Sequence, residues 1–166
     1  MKKLMNGAQM KMIDVYSIQE VGIPSLVLME RAALCVTEAV LEKIKKTDKV
    51  LCVCGSGNNG ADGMAVARQL TERGISAEVY TTAEEGKGTE ELNRQRAILQ
   101  KLGIVFVNDI PAGEYNCIID AVFGIGLSRT ITGRYEQIIE KINAAKDTGS
   151  LIVAVDTPSG INAGDG

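Results

Sequence analysis

Three observations predict an α/β fold with a mainly parallel sheet. From residue 50 onward, short apolar strand patterns alternate with amphipathic helix patterns, the order expected of layered α/β domains. The run Val50–Cys54 meets a glycine-rich turn, Gly55-Ser-Gly57-Asn-Asn-Gly60, and a helix pattern begins at once. That arrangement fits the Gly-x-Gly-x-x-Gly dinucleotide fingerprint. Polar motifs then follow three of the strand patterns, on the edge where open α/β sheets bind ligands.

The elements follow in order. Residues 7–19 read as a short helix, and Gly22 and Pro24 break the chain after it. Ser25 is the predicted N-cap of a second helix running to about Lys45. Met29, Ala33, Val36, Val40 and Ile44 recur at helical spacing and give this helix a core face. Val50–Cys54 is the first strand, and a helix is predicted over Asp62–Arg73, ended by Gly74. Ala77–Thr81 is the second strand, and Thr82–Thr89 is a loop. Thr89–Leu102 is a charged helix with Leu92, Leu99 and Leu102 inward and its Arg and Glu residues on a solvated face. Ile104–Val107 and Cys117–Ala121 are the next strands. The stretch between them is short for a helical crossover, which needs about a dozen residues. A loop over Val122–Gly133 leads to a helix at Arg134–Lys146, with Tyr135, Ile138, Ile139 and Ile142 inward. Leu151–Val155 is the last strand.

The length of 166 residues fits one domain. A net charge of −3 gives a nucleic-acid role no electrostatic support. No apolar run approaches the roughly 18 residues that span a bilayer, and the basic N-terminus lacks the apolar stretch of a signal peptide. Cys52 and Cys54 sit two apart on a strand pattern and so share a face. Without histidine, a Cys–His zinc site and every Ser–His or Cys–His catalytic pair are excluded. The cysteines read as reduced, packed thiols of a cytoplasmic protein. The chain stops inside a turn-like stretch, Asn162-Ala-Gly-Asp-Gly166, and the expectation is a domain over 1–166 truncated at its C-terminal end.

The glycine loop departs from the familiar nucleotide motifs. Asp62 would repel a pyrophosphate seated at the helix start, and the acid expected about twenty positions on is represented only by Glu78, inside the next strand. Ala61 stands where a Walker loop needs lysine. An ordinary dehydrogenase or a P-loop phosphotransferase is therefore disfavoured. What the strand ends do offer is oxygen: Asn58, Asn59, Asp62, Asp120, Asp156 and Ser159. Such donors suit alkali and alkaline-earth cations rather than zinc. The bland alternative is that Asp120 and Asp156 only hold their turns by accepting backbone N–H bonds.

Three ordered motifs, Gly55-x-Gly-Asn-Asn-Gly-x-Asp-Gly63, Asp120-Ala-Val-Phe-Gly-Ile-Gly-Leu127 and Asp156-x-Pro-Ser-Gly160, resemble the N-terminal domain family of NAD(P)H-hydrate epimerases, often called YjeF-N. Ala8-Gln-Met-Lys-Met-Ile-Asp14 and Leu28-Met-Glu-Arg-Ala32 resemble its two leading helices. The resemblance implies a Rossmann-like three-layer α/β/α fold with a mainly parallel sheet, a homodimer, and interconversion of the R and S epimers of hydrated NADH and NADPH (NADHX and NADPHX). It also implies a bound potassium ion, held by Asn59, Asp120 and Ser159. The substrate would contact Asn58, Asn59, Gly60, Ala61 and Asp62, then Gly124, Ile125, Gly126, Leu127, Ser128, Arg129 and Thr130, and Asp156. Asp156 is the expected proton-transfer residue, with Asp62 second. A fused or partner dehydratase, ATP- or ADP-dependent, acting on the same damaged cofactor, is a further implication. The competing reading is a non-catalytic module that binds a nucleotide or ADP-ribose-like ligand, or a scaffold domain.

Overall fold

In the computed structural model, which describes residues 6–127 and 130–161, five strands form one parallel sheet in the order β3-β2-β1-β4-β5. The elements are α1 (Gly7–Gln19), α2 (Ser25–Leu41), β1 (Lys49–Cys54), α3 (Asn58–Glu72), β2 (Ser76–Thr81), α4 (Glu90–Lys101), β3 (Phe106–Val107), β4 (Cys117–Ala121), α5 (Arg134–Asp147) and β5 (Leu151–Ala154). All four strand pairs are parallel; β1 sits in the centre, with Val53 opposite Tyr80 on one side and Asp120 on the other.

Alternation along the strands sorts the core into two layers. Val50, Cys52 and Cys54 of β1 join Cys117, Ile119 and Ala121 of β4 beneath α2, α3 and α4, where Met29, Ala33, Val40, Met64, Leu70, Leu92 and Leu99 pack. Leu51, Val53 and Ile118 point the other way, onto Ile138, Ile142 and Ala145 of α5. Cys52 and Cys54 share the first layer, as their spacing requires, and burial pushes both thiols well up from their ordinary range.

The short connection from β3 to β4 crosses the sheet without a helix. It must pass β2 and β1, about 14 Å of lateral travel, and residues 108–116 reach roughly 30 Å when extended. Ile110 and Tyr115 bury themselves in the α5 layer as it goes, so the crossing is itself part of the core.

Several boundaries correct the sequence reading. Ser25 is not an N-cap: Pro24 holds that position, and the Ser25 hydroxyl donates instead to Glu91 of α4 at 2.9 Å. The second helix ends at Leu41, short of Lys45. The third helix starts at Asn58 with Gly57 as its cap, so Asp62 stands a turn inside it rather than at its mouth. Leu102 falls on the cap of α4, where the chain is already leaving the helix, and is 56% exposed. Arg96, read as solvated, is 7% exposed and donates to the Ala83 carbonyl at 2.7 Å. The third strand pattern pairs only over Phe106–Val107, while Ile104 is buried as part of the turn that leaves α4.

Glu30 is a structural tie. Its carboxylate accepts from Arg68 and Gln69 of α3, at 2.5 and 3.0 Å, and so joins α2 to α3. Burial works against its charge, yet the bonds from Arg68 prevail and hold the carboxyl below its ordinary range.

Candidate active site

The strand order reverses between β1 and β4, because the chain leaves β1 towards β2 and later returns to the opposite side. At such a switch point the loops after the two strands part and leave a crevice. A cleft of about 810 Å³ occupies this place. That volume suits a nucleotide-sized ligand.

The β1 side of the cleft is the glycine turn. A Cβ on Gly55 would lie 2.1 Å from the Val122 carbonyl, and one on Gly60 would lie 2.1 Å from the Gly55 carbonyl. Only glycine lets the turn, the start of α3 and the end of β4 close on each other this tightly. Gly57 caps α3 without a side-chain acceptor, and Gly57, Asn58 and Asn59 all line the cleft. The first N–H groups of a helix so capped are available to an anion or an oxygen-rich ligand.

The far side is stitched by carboxylates. Asp120, 4% exposed at the end of β4, accepts from the Ser159 N–H at 2.7 Å and the Ser159 hydroxyl at 2.6 Å. It also accepts from the Val122 N–H at 3.3 Å, and the Ser159 oxygen in turn accepts from the Phe123 N–H at 2.9 Å. Asp156 accepts from the Ile125 N–H at 2.7 Å. The loops after β4 and β5 are thus one hydrogen-bonded unit. Gly124 permits it: a Cβ there would fall 2.5 Å from the Asp156 carboxylate oxygen and 3.4 Å from the Asn59 amide carbon.

Asp62 reaches the same cleft from α3. Its carboxyl is pushed up to about 7, first by burial and then by the charges of Asp156 and Asp14. A group with that pKa is suited to giving and taking a proton near neutrality.

The strand-end donors have the chemistry of an alkali-cation site. Among the described residues no group of three or more His, Cys, Asp or Glu side chains gathers as a metal site. A monovalent cation needs no such cluster; one carboxylate with neutral oxygens suffices. Asp120 and Ser159 supply a carboxylate and a hydroxyl in contact. Among the described residues the Asn59 side-chain nitrogen is buried without a partner. Amide N and O are assigned from their surroundings, and an amide turned the other way would place an oxygen acceptor there. The residues therefore fit a monovalent cation, such as the potassium ion that the resemblance implies.

Of the expected substrate contacts, Asn58, Asn59, Asp62, Gly124, Ile125, Gly126, Leu127 and Asp156 line the cleft. Gly60 and Ala61 lie buried beneath it as packing positions of α3, and Thr130 is exposed and is not part of the lining. Ser128 and Arg129 lie outside the described residues. The cleft also takes Met10 and Asp14 from α1, Ala32 from α2, and Ser56 and Thr89, none of which the sequence reading assigned to it. Thr89 carries a local signal, the N-cap of α4, but nothing in the pattern places that cap beside the glycine turn.

Residues 25–166 match the model of the family described as YjeF-related protein N-terminus. The chain belongs to this family. Among curated proteins it is similar to an NAD(P)H-hydrate epimerase of Limosilactobacillus fermentum, 40% identical over 99% of this chain and 78% of that protein. It is similar also to one of Oenococcus oeni, 42% identical over 92% of this chain and 72% of the other. The crystal structure of yeast ynu0 shares the fold, with a TM-score of 0.84, 24% identity, and coverage of 96% of this chain and 72% of that one. The three-layer parallel architecture expected from the sequence is thereby matched. The family match starts at Ser25, so α1 lies outside it.

Proposed function

We propose that this chain is an NAD(P)H-hydrate epimerase, an isomerase of cofactor repair that interconverts the R and S forms of hydrated NADH and NADPH. The observation that carries the reading is the cleft at the β1/β4 switch point, lined by all three strand-end motifs, in a chain about 40% identical over nearly its whole length to proteins of that name.

The reaction must release the hydroxyl at C6 of the reduced nicotinamide ring and accept it again on the other face. The ring nitrogen assists by forming an iminium as the C–O bond breaks. The departing oxygen takes a proton and leaves as water; water then adds from the opposite side and returns a proton, so atoms balance and no oxidant is needed. Asp156 is the residue proposed to move the proton, held in place by the Ile125 N–H. Asp62 shares the cleft, and its raised pKa makes it the second proton carrier. The free N–H groups at the start of α3 suit the phosphates.

Asn59, Asp120 and Ser159 would hold the potassium ion. When bound it supplies positive charge beside a cleft lined by Asp14, Asp62 and Asp156, which relieves their repulsion of the phosphates. A homodimer also belongs to this reading; the outward Met12, Val15 and Tyr16 of α1 are exposed, Met12 by 71%, and form an apolar surface suited to a second copy. Among the described residues no helix is long and apolar enough to cross a membrane, in keeping with a cytoplasmic enzyme. A dehydratase, fused or separate, would consume one of the two epimers.

The test is epimer exchange on purified S-NADHX, followed by NMR with the spontaneous rate subtracted. Acceleration by the wild-type chain, lost in a folded Asp156→Asn variant, is the expected result. An Asp156→Asn variant at full rate would move the proton role to Asp62. No acceleration at all would leave a binding module.

A further inference from the structure

Helix α1 supplies part of the cleft although it lies outside the family match. Met10 and Asp14 stand one turn apart and both line the cleft. Gly7, in the first turn, seats the helix on the loop that Asp156 holds: a Cβ there would lie 3.5 Å from the Ile125 Cβ. Asp14 is exposed at the rim and enters no ion pair among the described residues. A dinucleotide fold ordinarily reads a ribose hydroxyl with an acid at the end of its second strand. Here the acid of β2 is Glu78, mid-strand, and it is already engaged by the Tyr115 hydroxyl at 2.6 Å and by Lys49 at 3.2 Å. Glu84 and Glu85, beyond the strand, do not line the cleft.

We propose that Asp14 is a substrate-binding residue: its carboxylate accepts hydrogen bonds from a ribose diol of the bound dinucleotide and disfavours a phosphate on that ribose. The two oxygens of a carboxylate match the two O–H donors of a vicinal diol, and a hydroxyl that became a phosphate would turn those bonds into like-charge repulsion. The proposal rests on the epimerase reading for its substrate but not for its chemistry, since any dinucleotide or ADP-ribose ligand carries the same diol.

The experiment compares the wild-type chain with Asp14→Asn and Asp14→Lys. Asp14 is exposed, and its charge helps to raise the Asp62 carboxyl, so both variants are expected to fold and to melt no lower than the wild-type chain. Asp14→Asn should raise KM for NADHX about tenfold while kcat stays within about twofold, because a charge-assisted bond made equally in ground and transition states is lost. Asp14→Lys should shift the KM ratio towards NADPHX. Calorimetry with ADP-ribose as probe should show the same weakening in Asp14→Asn without any turnover. An unchanged KM, or a fall in kcat alone, overturns the proposal. Failure of the wild-type chain to speed epimer exchange would sink the epimerase reading; the calorimetry then decides Asp14 alone, and equal affinity in both proteins, or binding to neither, overturns its role.

Discussion

At the scale of single residues, the cleft is governed by what is small and by what is charged. Gly124 is the small one. Alanine there would put a methyl group 2.5 Å from the Asp156 carboxylate oxygen, closer than the two can stand. Gly124→Ala is therefore expected to keep the sheet and lose at least tenfold in kcat/KM, read by epimer exchange beside circular dichroism; a fully active Gly124→Ala would show that Asp156 needs no such placement. Asp62 is the charged one. Its carboxyl is raised to about 7 in the folded chain, above its ordinary 3.8. The folded state then binds the extra proton between those values, so stability falls as pH rises from about 4 to about 7 and is flat above. Asp62→Asn removes this dependence and is expected to stabilise the chain at pH 8 by roughly 1–3 kcal/mol. Urea titrations at several pH values would show it; an unchanged slope in the variant would assign the pH dependence to other groups. The sequence showed Asp62 next to a glycine turn, and so its place in the site. It could not show the raised pKa, which comes from burial together with the approach of Asp156 and Asp14 from two other elements.

At the scale of elements, periodicity read the centres of the helices well and their ends less well. The core face of α2 was legible because Met29, Ala33 and Val40 repeat at helical spacing, and all three are buried. The ends depend on interactions that spacing does not encode. Ser25 had the chemistry of an N-cap, yet its hydroxyl is taken by Glu91 across the α2/α4 contact. Arg96 had the look of a solvated residue, yet α4 turns it inward to the Ala83 carbonyl. Leu99 and Leu102, three apart, both matched the inward pattern, but Leu99 is fully buried and Leu102 stands exposed on the cap. The two substitutions to alanine should separate accordingly. Leu99→Ala is expected to cost about 2–5 kcal/mol through lost burial and a cavity, whereas Leu102→Ala should change stability by less than about 0.5 kcal/mol. Comparable losses in chemical denaturation would mean that Leu102 packs after all.

At the scale of the whole molecule, topology makes the site. Alternating strands and helices, with polar motifs after three strands, were enough to place the cleft on the carboxyl edge. They did not show that β4 returns beside β1, because the crossing over residues 108–116 carries no helix to mark it. Nor did they bring α1 over the opening, since no residue of that helix is buried and its position follows from contacts at the cleft rim. The proposed cation site belongs to this scale as well. Asn59 lies in the first turn of α3, Asp120 near the end of β4, and Ser159 in the loop after β5, so the three ligands join the segments that follow β1, β4 and β5. An ion held by all three would bind the folded chain and not the unfolded one. It would stabilise by RT ln(1 + [L]/Kd), about 2.7 kcal/mol when potassium stands at a hundred times its Kd. The melting temperature should therefore rise with potassium chloride above its value in N-methylglucamine chloride of equal ionic strength, a control that removes general screening. Asp120→Asn should abolish the difference. It should also lower the baseline, because Asp120 accepts from Ser159 and Val122 whether or not an ion is present. Two separate quantities thus come from one set of melts: the potassium-dependent increment reports the ion, and the loss in N-methylglucamine reports the loop stitch. A wild-type chain that melts at the same temperature in both salts, across the full range of potassium concentration, would leave Asp120 and Ser159 as a structural bond and remove the ion from the site.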